Sequence, residues 1–220
     1  MNDLQSLRNK ARRAGIFYLL MIPLGVFGIL YPLNLIIQGD IEATISNIVA
    51  DQFLFRLSIL SALLVQVVQI FLVFFLYKLF ETVNKNWAVL MVLLILVAVP
   101  IAMLNEVNQF AILLLLDNPG EQRSLISLFI DLHNHGVIIA QIFWGLWLFP
   151  MGYLAYKSGF IPKIIGILLM IGCFGYLLDS FLYIIIPDFG TTFSEYTSIG
   201  EIVMAFWLVI KGVKTPTSGQ

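Results

Sequence analysis

The composition of this 220-residue chain excludes a water-soluble globule. Hydrophobic side chains make up 60% of the sequence and charged side chains 11%, with a mean hydropathy of +0.96. An average soluble domain carries about 25% charged residues. The net charge of −1 provides no positive field for the phosphates of nucleic acids. We therefore predict an all-α integral membrane protein whose partner is the lipid bilayer and which binds no nucleic acid.

Six apolar segments alternate with short loops that are rich in turn-forming residues. Because a helix needs about 20 apolar residues to cross a bilayer, we predict six transmembrane helices in a single domain over 14–213. A basic segment, 1–13, precedes this domain, and a tail, 214–220, follows it. The predicted spans lie near 14–37, 53–82, 87–116, 123–157, 163–187 and 197–213. The first exceeds the apolar core of a secretion signal, about 7 to 15 residues, so we expect it to remain uncleaved.

A short helix is predicted between the first two spans. Ile41, Ile45, Ile48 and Val49 recur at helical spacing, and Asp40 stands where a residue could cap the helix start. An amphipathic connector on the outer surface is the favoured interpretation, and a substrate gate is the alternative.

The basic residues predict the orientation, because cytoplasmic loops are enriched in Lys and Arg. With the N-terminus inside, ten of the twelve basic residues fall on the cytoplasmic side. Only Arg56 and Arg123 are left for the outside. Both termini are therefore predicted to be cytoplasmic.

Four acidic residues lie inside the predicted spans, where a charge costs about 2.5 to 3.5 kcal/mol unless it is paired, protonated or next to a cavity. With a rise of 1.5 Å per residue, all four are expected about 9 to 17 Å below the outer surface. Further polar residues occur at the same depth. We predict one outward-facing polar pocket in the outer half of the bilayer, closed towards the cytoplasm. Its candidate residues are Arg56, Asn105, Glu106, Asp131, His133, His135, Asp179 and Glu201.

The fourth span carries polar residues on two faces. Asp131, Asn134 and His135 share one face, whereas His133 points about 160° away from Asp131. This span is therefore predicted to be surrounded by protein. The aromatic segment 143–153 is interpreted as packing, with a cage for a cation as the alternative.

Three kinds of chemistry suit the predicted pocket. His133, Asp131 and Glu106 could bind Zn²⁺, although no helical zinc motif occurs. A buried ion pair between Arg56 and either Glu106 or Asp179 is favoured over a metal. The third alternative is a cavity that binds a ligand or takes up a proton.

Several stretches of the chain resemble a known family. They are FRLSILS at 55–61, TVNKNWA at 82–88, VPIAMLNEVNQFAILLLL at 99–116, DLHNHG at 131–136, IFWGLWLFPMGYLAYKSGFIPKIIGILL at 142–169 and GYLLDSF at 175–181. Together they resemble the bacterial integral membrane family known as domain of unknown function 4386, over about residues 10–213. The resemblance implies a six-span protein of the bacterial plasma (inner) membrane, and it implies no activity.

The resemblance also implies a set of pocket residues. The family pattern matches this chain at Arg56, Asp131, His133 and Asp179, among other positions. Many relatives have an acid where this chain has Ala62, and an aromatic residue often replaces His135. These departures weaken any scheme that needs a third acid on the second span or a second histidine ligand, so the four matching residues form the favoured set.

Three functional classes follow from the sequence. The first is a protein that binds or transports a small molecule. The alternatives are an intramembrane metal-dependent hydrolase of a lipid or small hydrophobic substrate, with His133 as a metal ligand, and a non-catalytic accessory or assembly subunit. The two halves of the chain show no clear repeat, which weighs against alternating-access transport.

Overall fold

The computed structural model describes residues 2–117, 122–186 and 189–213, and every regular element in these ranges is helical. The all-α prediction is confirmed. The predicted tail, 214–220, lies outside the described residues. In chain order the elements are α1 (Asn2–Gly25), a π-helical turn (Val26–Leu30), α2 (Tyr31–Leu33), α3 (Ile41–Ala50), α4 (Gln52–Phe80), α5 (Lys85–Leu115), α6 (Arg123–Leu146), α7 (Leu148–Lys157), α8 (Lys163–Ile185), α9 (Ser194–Thr197) and α10 (Ile199–Ile210).

Five helical segments are long and apolar enough to cross a membrane. They are Leu4–Leu33, Gln52–Phe80, Lys85–Leu115, Arg123–Lys157 and Lys163–Ile185. The predicted sixth span is divided into α9 and α10, which contain 4 and 12 residues. Each is shorter than the about 20 residues of a usual crossing, so the six-span count is not confirmed.

The long helices pack as a closed ring. Going around it, α1 packs against α4, α4 against α5, α5 against α6, α7 against α8, α8 against α10, and α10 against α1. A Cβ atom on Gly15 would lie 2.8 Å from the Cβ of Leu208, and one on Gly212 would lie 3.0 Å from the Cγ of Arg8. The first and last helices therefore run antiparallel, and both ends of the described chain lie at the same end of the bundle.

An apolar core fills that end of the ring. Leu76, Met91, Trp147 and Leu154 are all 1% exposed or less. Since apolar burial drives helices together little in lipid, close packing of small residues matters more. The α7–α8 contact follows this rule: a Cβ on Gly152 would lie 2.6 Å from the backbone oxygen of the glycine opposite it on α8.

The first helix is irregular where it passes the centre of the ring. Pro23 cannot donate a backbone hydrogen bond, and a π-helical turn follows at Val26–Leu30. The hydroxyl of Ser61 donates to the backbone oxygen of Leu24 (2.8 Å), so a neighbouring helix supplies the partner that this carbonyl needs in lipid. This turn lines the cavities described below.

The predicted connector between the first two spans is present as α3. Asp40 accepts a hydrogen bond from the backbone N–H of Ala43 (2.9 Å), as a capping residue does. Ile45 and Ile48 are buried against the bundle, whereas Val49 is 51% exposed. The predicted apolar face is therefore buried only in part.

Candidate functional site

The eight predicted pocket residues do not line one cavity. Glu201 lines two connected cavities, whereas three others meet in a buried cluster between α5 and α6, and Asp179 caps a helix. The remaining three are exposed: Arg56, Asp131 and His135. Counting residues along the predicted spans gave one common depth in the bilayer for all eight. Their side chains leave the helices in different directions, however, so they do not meet in one cavity.

The buried cluster joins the third and fourth long helices. The Nε2 atom of His133 lies 2.8 Å from the amide nitrogen of Gln109 and 3.3 Å from Oε1 of Glu106. The amide of Asn105 donates to the backbone oxygen of His133 (2.9 Å). Asn105, Glu106 and Gln109 are only 8%, 7% and 3% exposed. Of the two acids predicted beside His133 as metal ligands, Glu106 and Asp131, only Glu106 contacts it here.

The cluster depends on a small residue at one position. Gly136 faces Asn105 so closely that a Cβ on Gly136 would overlap the amide group of Asn105. The cavity beside the cluster has a volume of about 20 Å³, room for about one water molecule. The cluster therefore fixes two helices together and leaves no space for an organic substrate.

The predicted metal ligands are not brought together. Asp131 is exposed, whereas His133 and Glu106 face the interior, because Asp131 and His133 point in nearly opposite directions from one helix. Within the described ranges, no group of three His, Cys, Asp or Glu residues is placed to hold a metal ion. These residues do not fit the predicted zinc site.

The predicted buried ion pair of Arg56 is also not formed. The Arg56 side chain is exposed, and Glu106 contacts His133 instead. The other histidine, His135, is exposed, and its Nδ1 atom lies 2.6 Å from the backbone oxygen of Asp131. Its ring meets the edge of the Tyr183 ring, with 5.6 Å between centroids.

Asp179 holds the start of the last helical segment. Its Oδ1 atom accepts from the backbone N–H of Phe193 (2.7 Å), and its Oδ2 atom accepts from that of Ser194 (2.8 Å). The first N–H groups of a helix have no partner within the helix, and in lipid they cannot turn to water. Because α9 begins beside Asp179, six residues before the end of α8, its first N–H groups lie below the end of that helix, and the buried carboxylate supplies their acceptors.

Glu201 lies deeper than the sequence predicted for the same reason. The hydroxyl of Tyr18 donates to Oε2 of Glu201 (2.9 Å). Tyr18 is fifteen residues before the end of the Leu4–Leu33 span, which is about 22 Å along the helix. The Glu201 carboxylate is therefore near the middle of the bundle.

Two connected cavities surround Glu201. The larger, of about 470 Å³, lies between α1, α8 and α10. The smaller, of about 160 Å³, continues from it towards Gln69, Trp144 and Trp147. Four residues line both cavities: Met21, Gly25, Tyr176 and Glu201. Together they form what we call the Glu201 cavity.

The Glu201 cavity opens sideways through the first helix. Val26 and Leu30, which lie in the π-helical turn, line the larger part and are 53% and 52% exposed. Ile202 lines the opposite edge and is 47% exposed. Exposed apolar side chains at this depth face acyl chains in a bilayer, so the opening faces lipid.

Sequence reasoning missed most of the residues around Glu201. Gln69 interrupts an apolar run on α4, a signal that could have marked a polar interior near mid-membrane. Trp144 and Trp147 were interpreted as packing; Trp147 is indeed 1% exposed, yet both also line the smaller cavity. No local signal pairs Tyr18 with a carboxylate 183 residues away.

A comparison with protein-family models identifies the family. A family model described as "Domain of unknown function (DUF4386)" matches residues 13–212. A protein from Archaeoglobus fulgidus, described as "Uncharacterized protein", is 43% identical over 76 residues, which is 34% of this chain and 46% of that protein. This chain thus spans less than half the length of that relative. No solved structure matches.

Proposed function

We propose that this membrane protein, which belongs to the DUF4386 family, binds or transports a small amphipathic molecule that it takes up from the bilayer. The Glu201 cavity is the observation that carries the proposal. Its larger part has a volume typical of small-molecule sites, about 300 to 1,000 Å³.

The lining combines the features of such a site. Most of it is apolar, and Glu201, Tyr18 and Gln69 are the buried or half-buried polar groups that face the interior. A few polar groups in an apolar wall orient a ligand and give specificity. The lateral opening lets a molecule enter from the acyl-chain region without crossing an aqueous phase.

The proposal includes an orientation. The first helix begins where the last helix ends, and the turns at this same end of the bundle carry Lys78, Lys85, Lys157 and Lys163. By the positive-inside rule this basic end is cytoplasmic. With α9 and α10 as the returning sixth segment, both termini are cytoplasmic, and the cavity extends from the outer half of a bacterial plasma membrane to its middle.

Gly25 provides a direct test. It lines both parts of the cavity, and a Cβ added there would meet no atom within 4 Å. Gly25→Phe should therefore fill the cavity without displacing the backbone, and Gly25→Ala is the matched control. We expect a neutral long-chain alcohol carrying a diazirine to photolabel segments 18–30 and 194–202 of the wild-type protein in vesicles.

Labelling of these segments should be saturable, lost in Gly25→Phe and kept in Gly25→Ala. Labelling spread evenly over all lipid-facing helices, with no effect of Gly25→Phe, would contradict the proposal.

The second candidate is a non-catalytic accessory subunit, in which the acids inside the bundle only hold helices together. Asp179 favours it, because both of its oxygens accept backbone hydrogen bonds and neither is left for a ligand. It predicts that Gly25→Phe leaves labelling unchanged. The hydrolase alternative gains no support from the described residues, which supply no set of three metal ligands.

A further inference from the structure

We infer that the Glu201 cavity is selective for amphipathic organic cations, such as amines or quaternary ammonium and phosphonium compounds with an apolar body. The inference rests on the proposed function and adds the charge of the ligand. Three observations support it: the charges that line the cavity, the aromatic rings around the carboxylate and the apolar entrance.

The charged residues that line the cavity are all acidic. Glu195 and Glu201 are the only acidic side chains among its described lining residues, which include no Lys, Arg or His. The ion pairs found in the described ranges do not include Glu201. In a medium of low dielectric constant an unpaired carboxylate strongly attracts a cation and repels an anion.

Hydrogen bonding does not compensate Glu201 as it compensates Asp179. The partners of Glu201 are neutral phenols: the Tyr18 hydroxyl donates to Oε2 (2.9 Å), and the Tyr176 hydroxyl also interacts with the carboxylate. A neutral phenol lowers the cost of burying the carboxylate but does not neutralise it. A cation bound at Glu201 would therefore provide the positive charge that the described residues around it lack.

Aromatic rings surround the same carboxylate. Tyr18, Tyr176, Trp144 and Trp147 all line the cavity, and the Tyr18 and Trp147 rings lie with centroids 6.1 Å apart. Aromatic faces attract ammonium groups, most strongly when the cation is desolvated.

The protein's own cations do not occupy these rings. The Lys and Arg side chains that lie over aromatic rings elsewhere in the described chain contact Phe75, Tyr77, Tyr153 and Tyr156. The rings of the cavity therefore remain available for a ligand.

The entrance selects against strongly hydrated cations. Ile22, Val26 and Leu30 form one side of the opening, and all three are at least 36% exposed. An ion that enters between such side chains must leave its hydration shell, which is costly for an inorganic ion. A cation whose charge is enclosed by apolar groups meets a much smaller penalty.

Tetraphenylphosphonium and tetraphenylborate provide a matched test, because they have the same shape and opposite charges. Each competes with the neutral diazirine alcohol for photolabelling of segments 18–30 and 194–202 in vesicles. In the wild-type protein the cation should compete at a concentration at least ~10-fold lower than the anion, after correction for the partition of each ion into protein-free vesicles. A tenfold ratio corresponds to about 1.4 kcal/mol.

Glu201→Gln keeps the size of the side chain and removes its charge. We expect it to abolish the preference for the cation while the neutral probe still labels the cavity. Asp131→Asn, which removes an exposed acid outside the cavity, should leave the preference unchanged. If Glu201→Gln fails to fold, Trp144→Leu tests the aromatic contribution and should weaken competition by the cation more than by the anion.

The outcomes separate this inference from the proposed function. Equal competition by the two ions in the wild-type protein, with the cavity still labelled, overturns the inference and leaves the proposed function standing. A cation preference that persists in well-folded Glu201→Gln also overturns it. Absence of saturable cavity labelling contradicts both.

Discussion

Asp179 offers the sharpest test of how the last helical segment is held. Its two oxygens accept hydrogen bonds of 2.7 and 2.8 Å from the backbone N–H groups of Phe193 and Ser194. Asp179→Asn keeps one acceptor oxygen and leaves one N–H group without a partner, at a cost of about 1 to 3 kcal/mol. Asp179→Ala removes both acceptors, and we expect it to lower the free energy of unfolding by about twice as much.

Two measurements in detergent check this prediction. Thermal unfolding followed by tryptophan fluorescence reports the total loss of stability. Hydrogen exchange should increase mainly over residues 193–202, because the cap holds α9 and the start of α10. Asp131→Asn is the control, since a surface change of this kind stays within about 0.5 kcal/mol. Unchanged exchange over 193–202 in Asp179→Ala, or a loss spread equally over all helices, would refute the reasoning.

Two further predictions concern the cluster between α5 and α6. Gly136→Ala should destabilise the protein by about 1 to 3 kcal/mol, because the new methyl group displaces Asn105 and leaves buried polar groups unpaired. Gly25→Ala is the control and should not destabilise the protein, since the space at Gly25 is open. Equal unfolding temperatures for the two variants would contradict this prediction. His133→Ala should lower stability without changing the metal content found by elemental analysis of tag-free protein, and loss of about one bound metal per chain would restore the zinc site.

The helices themselves could be predicted from the sequence because long apolar runs leave a chain in lipid few alternatives. Helical periodicity also separated His133 from Asp131 correctly, since it needs only the angle between successive residues. The cap at Asp40 was predictable too, because an N-cap depends on residues three positions apart.

Contacts across the ring could not be predicted in this way. Depth below the surface was estimated by counting residues from each loop, and the count fails where a helix begins inside the bundle. The last segment begins in this way, because Asp179 holds the start of α9 six residues below the end of α8. Glu201 was therefore placed too near the surface, and its partner Tyr18, on the first helix, had no sequence signal.

The two buried acids, Asp179 and Glu106, and the half-buried Glu201 differ in their hydrogen bonds and in the space beside them, and these differences assign their roles. Both oxygens of Asp179 accept backbone hydrogen bonds. Glu106 contacts His133 through one oxygen, in a cluster with room beside it for about one water molecule. Glu201 interacts with the phenols of Tyr18 and Tyr176 and faces a cavity of about 470 Å³ that opens to lipid. A charge that only fixed helix packing would be enclosed as Asp179 is, and Glu106 has no room beside it for a ligand. Glu201, which faces the largest space around these acids, is therefore the one to which a ligand's charge contributes most.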